Sequence, residues 1–170
     1  ATQFGGGKTH ALTLLYHLAN HGSAAKGWLG VDKILARAGL TTVPSANLAV
    51  FVGTEFDVLT GRGGDDGTPF RQTPWGEIAY QLGGEAAFAV VAKHDEQFVE
   101  PKGDVIRAML PKDRPNLILI DEVLSYVSTC RSLGYNDRVY NFLQSLSETV
   151  RGEPNSVLVV SIPASTLEYT

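Results

Sequence analysis

Gly5-Gly6-Gly7-Lys8-Thr9 is the segment whose residue types and spacing point most directly to chemistry. Successive glycines let backbone N–H groups turn inward around phosphate oxygens, and a helix beginning there adds its positive N-terminal end. A lysine directly after the last glycine reaches the β- and γ-phosphates of a nucleotide, and a threonine hydroxyl beside it can ligate Mg²⁺. On this reading Gly5, Gly6, Gly7, Lys8 and Thr9 bind nucleotide, Lys8 acts on the γ-phosphate and Thr9 on the metal. His10 comes next, either packed near the nucleotide or lying on the helix surface. The pattern G-x-x-x-x-G-K-[ST] begins with a glycine where this chain has Thr2, a position that shapes only the entry to the loop. The plain alternative is a glycine-rich turn that happens to precede Lys-Thr.

A second signal lies downstream. Leu117-Ile118-Leu119-Ile120 is an unbroken apolar run that ends abruptly in Asp121-Glu122, which matches the Walker B pattern. A buried parallel strand would deliver Asp121 at its C-terminal edge, beside the phosphate loop, to hold the Mg²⁺ shell. Glu122 would then face the attacking water as general base or orienter. A strand capped by two solvated acids is the bland reading. Both motifs occur in the expected order with one further strand between them, so the expectation is a magnesium-dependent nucleoside triphosphatase.

Other residues extend this site or reduce to structure. Ser161 ends a third apolar run, where it acts either as a polar sensor between γ-phosphate and base or as a strand-end hydroxyl turning into Pro163. Thr54 and Glu55 follow the Leu48–Val52 run, and an ordinary loop is the favoured reading there over restraint of the catalytic glutamate. His17 and His21 are four apart, as helical zinc ligands can be, but no Cys or carboxylate partner accompanies them and a solvated helix end is favoured. Cys130 reads as a small buried hydrophobe. Arg131 and Arg138 read as solvated helix charges in preference to fingers toward a neighbouring subunit.

The elements that must position these groups can be read from periodicity. Ala11, Leu14, Leu15 and Leu18 recur at helical spacing, and a shorter helical pattern covers Asp32–Ala38. Leu48–Val52, Leu117–Ile120 and Val157–Val160 read as strands; the lack of polar alternation in the second means both its faces are covered. Gly61–Gly67 reads as a mobile loop. Thr73-Pro74 opens a helix with a hydroxyl cap and a first-turn proline, running to Gly83-Gly84. Ala86–Gln97, Asp104–Leu110, the segment after Glu122 and Asn136–Val150 complete the helices. Strands alternating with helices predict an α/β domain with a mostly parallel sheet.

Composition agrees with a folded domain. The 170 residues are 44% hydrophobic, too apolar for intrinsic disorder, and no apolar run approaches the roughly 18 residues that cross a bilayer. The single cysteine excludes an internal disulfide and suits a reducing compartment, so a cytoplasmic protein is expected, with no leader and no membrane partner. With 14 basic against 18 acidic residues the net charge is −4, which gives no electrostatic footprint for nucleic acid.

With Gly7-Lys8-Thr9, Asp121-Glu122 and the polar strand end Ser161 in place, the chain resembles the ASCE division of P-loop ATPases, close to the AAA+ type. More narrowly, three stretches resemble a family of large bacterial and archaeal ATPases that carry a numbered domain of unknown function. They are Thr2–His10, Thr73–Gly84 (Thr-Pro-Trp-Gly-Glu-Ile-Ala-Tyr-Gln-Leu-Gly-Gly) and Ile118–Glu122. The first and third are generic to P-loop proteins, and the Trp75 segment is the family-specific one, its plain alternative being an amphipathic helix with Trp75 and Ile78 in the core.

The resemblance implies a three-layer P-loop sheet with helices on both faces, and ATP with Mg²⁺ as ligands. It also implies a motor or switch module in a larger protein, encoded beside DNA methyltransferases and helicases in phage-defence or restriction-like clusters. DNA or DNA-modification partners would then act through other parts of the protein, and a homo-oligomer is compatible with it. A signalling or scaffolding NTPase with little turnover is the alternative; a small-molecule P-loop kinase is disfavoured because adjacent Asp121-Glu122 suits water activation. The P-loop pattern also leads us to expect that residues 1–170 are a partial ATPase core. It would lack the first strand, the C-terminal strand and the lid, and be poorly stable and nearly inactive by itself.

Overall fold

The computed structural model describes residues 7–162. Gly5 and Gly6, and the turn at Pro163, lie outside the described residues. The chain opens with α1 (Lys8–His21), a 3₁₀ turn (Gly22–Gly27) and α2 (Val31–Ala38), then enters β1 (Asn47–Val52). After a long connection come α3 (Pro74–Glu96) and α4 (Gly103–Met109), and then β2 (Asn116–Asp121). The last elements are α5 (Val123–Arg131), α6 (Asn136–Arg151) and β3 (Ser156–Val160). The fold is mixed α/β around a three-stranded sheet in the order β1-β2-β3, parallel throughout, with Val52 level with Asp121 and Ile120 with Val160. None of the described helices is long and apolar enough to cross a membrane.

Side-chain alternation along the strands sorts the packing. Ala49, Phe51, Ile118 and Ile120 enter one core with Trp75, Ile78 and Leu82 of α3, Ile106 and Met109 of α4, Val127 and Cys130 of α5, and Phe142 and Leu146 of α6. Val50, Val52 and Leu119 face the other way, where Leu12 and Tyr16 of α1 line the same cavity. The uninterrupted apolar character of β2 follows from this, since both its faces meet other elements. A smaller cluster of Leu18, Ala25, Val31, Leu35 and Val43 joins α1 to α2.

The Thr73–Gly84 stretch forms the first half of α3. Thr73 caps it, its hydroxyl oxygen accepting from the Gly76 N–H at 3.1 Å, and Pro74 occupies the first turn. Trp75 is buried edge-on to Phe142 with ring centroids 5.4 Å apart, tying α3 to α6. The helix breaks at Gly83 and at Gly84, which has φ 63° and ψ −150°, and resumes toward Glu96. Both the expected helix end and the helix beyond it are therefore present, joined through a kink.

Asp95, in the second half of α3, reaches back to the start of the first. Its carboxylate accepts from the Gln72 N–H (3.0 Å), the Thr73 N–H (2.9 Å) and the Thr73 hydroxyl. Gly76 is required beneath it, because a Cβ there would overlap the carboxylate. Burial pushes the Asp95 pKa above its ordinary 3.8, outweighing the donors that favour the ion. The folded state therefore binds this proton more tightly than the unfolded chain. Its contribution to stability is complete below pH 3.8 and declines as pH rises through the folded pKa. A carboxyl-carbon NMR titration is expected to place the Asp95 midpoint above 3.8; a midpoint at or below that value would contradict the assignment.

The glycine-rich connection contains a backbone bridge that composition did not indicate. Arg62 and Arg71 exchange both backbone N–H···O bonds at 2.8 Å, closing a small hairpin. Gly63 and Gly64 within it take φ 79° and 91°, which a side chain would resist. Composition reveals glycine's freedom but not a ladder that uses it.

Candidate active site at the end of the central strand

Gly7, at φ 76°, caps α1, so Lys8 and Thr9 form its first turn. Thr9 Oγ1 donates a 2.8 Å hydrogen bond to Asp121 Oδ2 at the C-terminal end of β2, joining residues 112 apart in sequence. Asp121 is buried, and its other oxygen, Oδ1, accepts from the Glu122 N–H at 3.0 Å. Glu122 is half-buried and stands at the head of α5 with φ 52° and ψ 29°, a left-handed conformation uncommon for a residue with a side chain. The predicted metal ligands Thr9 and Asp121 and the predicted base Glu122 thus lie together.

Ser161 follows β3 directly. Its N–H donates to the Ile120 carbonyl at 2.8 Å, which continues the ladder one step and puts Ser161 level with Asp121 across the sheet. Lys8 is half-buried at the helix start, and His10 is exposed on α1. His10 is not among the residues lining the cavity described next.

A cavity of about 520 Å³ opens beside the Thr9–Asp121 pair. Its apolar lining is Leu12, Tyr16, Val50, Val52 and Leu119, and Glu55, Arg62 and Gln81 add polar groups. Thr54 is exposed in the turn after β1. Glu55 is exposed in the same turn; its carbonyl accepts from Arg62 Nη2 at 3.0 Å, and the residue lines the cavity.

Behind Arg62 lies a charged network that periodicity did not expose. Glu77 of α3, itself buried, receives Arg71 Nε at 2.8 Å, Arg62 Nη1 at 3.3 Å and Gln81 Nε2 at 2.6 Å. Gln81 uses its amide a second time along the outer edge of β1, donating to the Val50 carbonyl at 2.9 Å and accepting from the Val50 N–H at 2.7 Å. A side chain thus supplies the pairing that a neighbouring strand would give. The available signal was the Glu77–Gln81 spacing of four on one helix face.

The remaining candidates lie away from this cavity. His21 Nδ1–H donates to the His17 carbonyl (2.8 Å), and the ring packs edge-on against Trp28 at 4.9 Å. Cys130 is buried, which raises its thiol pKa and makes it a poor nucleophile. Arg138 donates to the Phe98 carbonyl at 2.6 Å and sits over the Tyr135 ring, while Arg131 is exposed at the end of α5. Among the described residues no three His, Cys, Asp or Glu side chains converge as a metal cage.

Comparison with known proteins gives one match. The model of the DUF499 N-terminal domain matches residues 64–168, which takes in the Thr73–Gly84 helix, β2 and the Asp121–Glu122 pair. No curated protein matches, and no solved structure matches. The matched stretch covers more than half of the chain, and the chain belongs to the DUF499 N-terminal domain family.

Proposed function

We propose that this chain is the nucleotide-binding core of an ATPase of the P-loop type, its parallel sheet belonging to a three-layer fold of that class. The observation that carries the reading is the hydrogen bond from Thr9 Oγ1 to Asp121 Oδ2, which brings a Lys-Thr pair at a helix start to an acid at a strand end. A hydroxyl and a carboxylate are the two protein ligands a phosphate-bound Mg²⁺ needs, since that ion keeps waters and takes its remaining oxygens from the nucleotide. The donor set therefore fits the ion. When bound, Mg²⁺ would neutralise charge developing on the phosphate oxygens. Gly7 and the first N–H groups of α1 would face the phosphates, Lys8 would hold the β- and γ-phosphates, and Glu122 would orient and deprotonate the attacking water. Ser161, the residue that follows β3, stands level with Asp121 across the sheet.

In this reading the module is a motor or switch within a larger protein linked to DNA restriction or phage defence. The alternative is a nucleotide-dependent scaffold with little turnover. Titrating the full-length protein with DNA while following phosphate release separates them: stimulation supports the motor, and negligible turnover with tight nucleotide binding supports the scaffold.

The nucleotide assignment has its own check. A lysine's charge-assisted contact with phosphate contributes about 1.5–3 kcal/mol, so Lys8→Ala is expected to weaken ATP binding about 10–100-fold by calorimetry. Unchanged affinity would remove the basis for the reading.

A further inference from the structure

Gly53, the residue that follows β1, touches both peptide units that define the backbone angles of Glu122. Its N–H donates to the Asp121 carbonyl at 2.9 Å, which fixes the peptide preceding Glu122. Its Cα lies against the next peptide: a Cβ built on Gly53 would overlap the Glu122 carbonyl oxygen, come within 2.8 Å of the carbonyl carbon and within 3.1 Å of Tyr126 Cβ. Gly53 is buried at a φ that any residue adopts, so its requirement is space and not backbone freedom. Glu122, at φ 52°, carries the strain instead. Two hydrogen bonds from within its own segment assist: the Glu122 N–H donates to Asp121 Oδ1, and the Glu122 carbonyl accepts from the Ser125 N–H at 3.1 Å.

We propose that Gly53 is a positioning residue for Glu122: the end of β1 clamps the left-handed turn at the head of α5 and so sets the direction in which the Glu122 carboxylate leaves the sheet. The catalytic part of this proposal rests on the reading of Glu122 as the base; the clamp itself does not. The clamp is a contact between residues 69 positions apart, and it makes β1 part of the active centre although none of its side chains need touch nucleotide. Any side chain at position 53 must push the Glu122 carbonyl away, which rotates the adjoining peptide and the carboxylate with it.

The test uses the full-length protein. Gly53→Ala is expected to bind Mg·ATP within about threefold of wild type yet hydrolyse it about 10²-fold more slowly in single turnover, the scale on which a misplacement of about 1 Å acts. Gly27→Ala, where a Cβ meets open space, is the control and is expected to match wild type in both readings. A parallel stability cycle keeps the clamp testable if Gly53→Ala folds poorly. A glycine at position 122 can swing its carbonyl aside, so Gly53→Ala is expected to lower the melting temperature much less in a Glu122→Gly background than in wild type. Additive shifts in that cycle, including equal collapse in both backgrounds, would overturn the clamp, as would wild-type hydrolysis by Gly53→Ala. Coupling in the cycle together with wild-type turnover by Glu122→Gln would keep the clamp and remove only the base assignment.

Discussion

Glu122→Gln is expected to hold Mg·ATP about as tightly as the wild-type protein and to hydrolyse it about 10²–10⁴-fold more slowly, the range that a positioned general base supplies. The amide preserves the size of the side chain and leaves the backbone turn at φ 52° unaltered, together with the Glu122 N–H to Asp121 bond. Thr9 and Asp121, the groups that would meet the metal, are untouched. What the substitution removes is the capacity to take a proton from water. Binding and turnover should therefore separate, and calorimetry paired with phosphate release reads both. Asp121→Asn makes the contrast: it removes a charge from the proposed metal ligand, so it should weaken magnesium-dependent binding as well as turnover. Wild-type turnover in Glu122→Gln would end the base assignment, and a wild type with tight binding and no turnover would favour the scaffold reading.

The parts of this site that were legible in the sequence are those set by local rules. Thr73-Pro74 announced a capped helix because the hydroxyl and the fixed proline φ each act within one turn, and Thr73 does cap α3. Leu117–Ile120 announced a strand covered on both faces because no polar residue interrupts it, and Ile118 and Leu119 are buried toward opposite sides. The same rule overstates β3. Val157 is half exposed although its strand is equally apolar, because β3 pairs only with β2 among the described residues.

What stayed hidden depends on contacts between distant segments. Gly53 reads from sequence as punctuation after a strand, and nothing local shows that the residue it must admit is Glu122. Nothing local marks Arg71 or Glu77 as buried, since such side chains seldom are. The burial of Arg71 and Glu77 follows from the hairpin that Gly63 and Gly64 permit, which brings Arg71, with the exposed Arg62 beside it, against Glu77 of α3. The glycines that made the connection look mobile are thus what lets it close. Thr9 and Asp121 fell on the legible side only because each belongs to a recognisable motif; their spacing of 112 residues carries no signal of its own.

The buried network itself gives the second large effect. Glu77→Ala is expected to destabilise the domain by about 3–5 kcal/mol, read as a shift in the denaturant midpoint, because it leaves a buried cation without its counter-charge. That is a large share of the roughly 5–15 kcal/mol that holds a domain folded. The two arginines should differ sharply. Arg71 is 7% exposed and bonded to Glu77 at 2.8 Å, whereas Arg62 is 40% exposed and 3.3 Å away, where solvent screens it. Arg62→Ala should therefore cost no more than about 1 kcal/mol, whereas Arg71→Ala should approach the Glu77 loss. Part of the Glu77 cost passes through Gln81, which loses its anchor at 2.6 Å and with it the orientation that pairs both backbone groups of Val50 on the edge of β1 away from β2. Replacing the pair together, as Arg71→Met with Glu77→Leu, removes both charges at once and should recover most of the loss, since a buried ion pair and an apolar pair of similar volume are close in stability. Recovery would mean that the network fixes how the hairpin and α3 meet the sheet, more than it adds to net stability. A loss under about 1 kcal/mol in Glu77→Ala would show that Arg71 and Gln81 find water instead, and that the contacts around Glu77 do not hold the β1 edge.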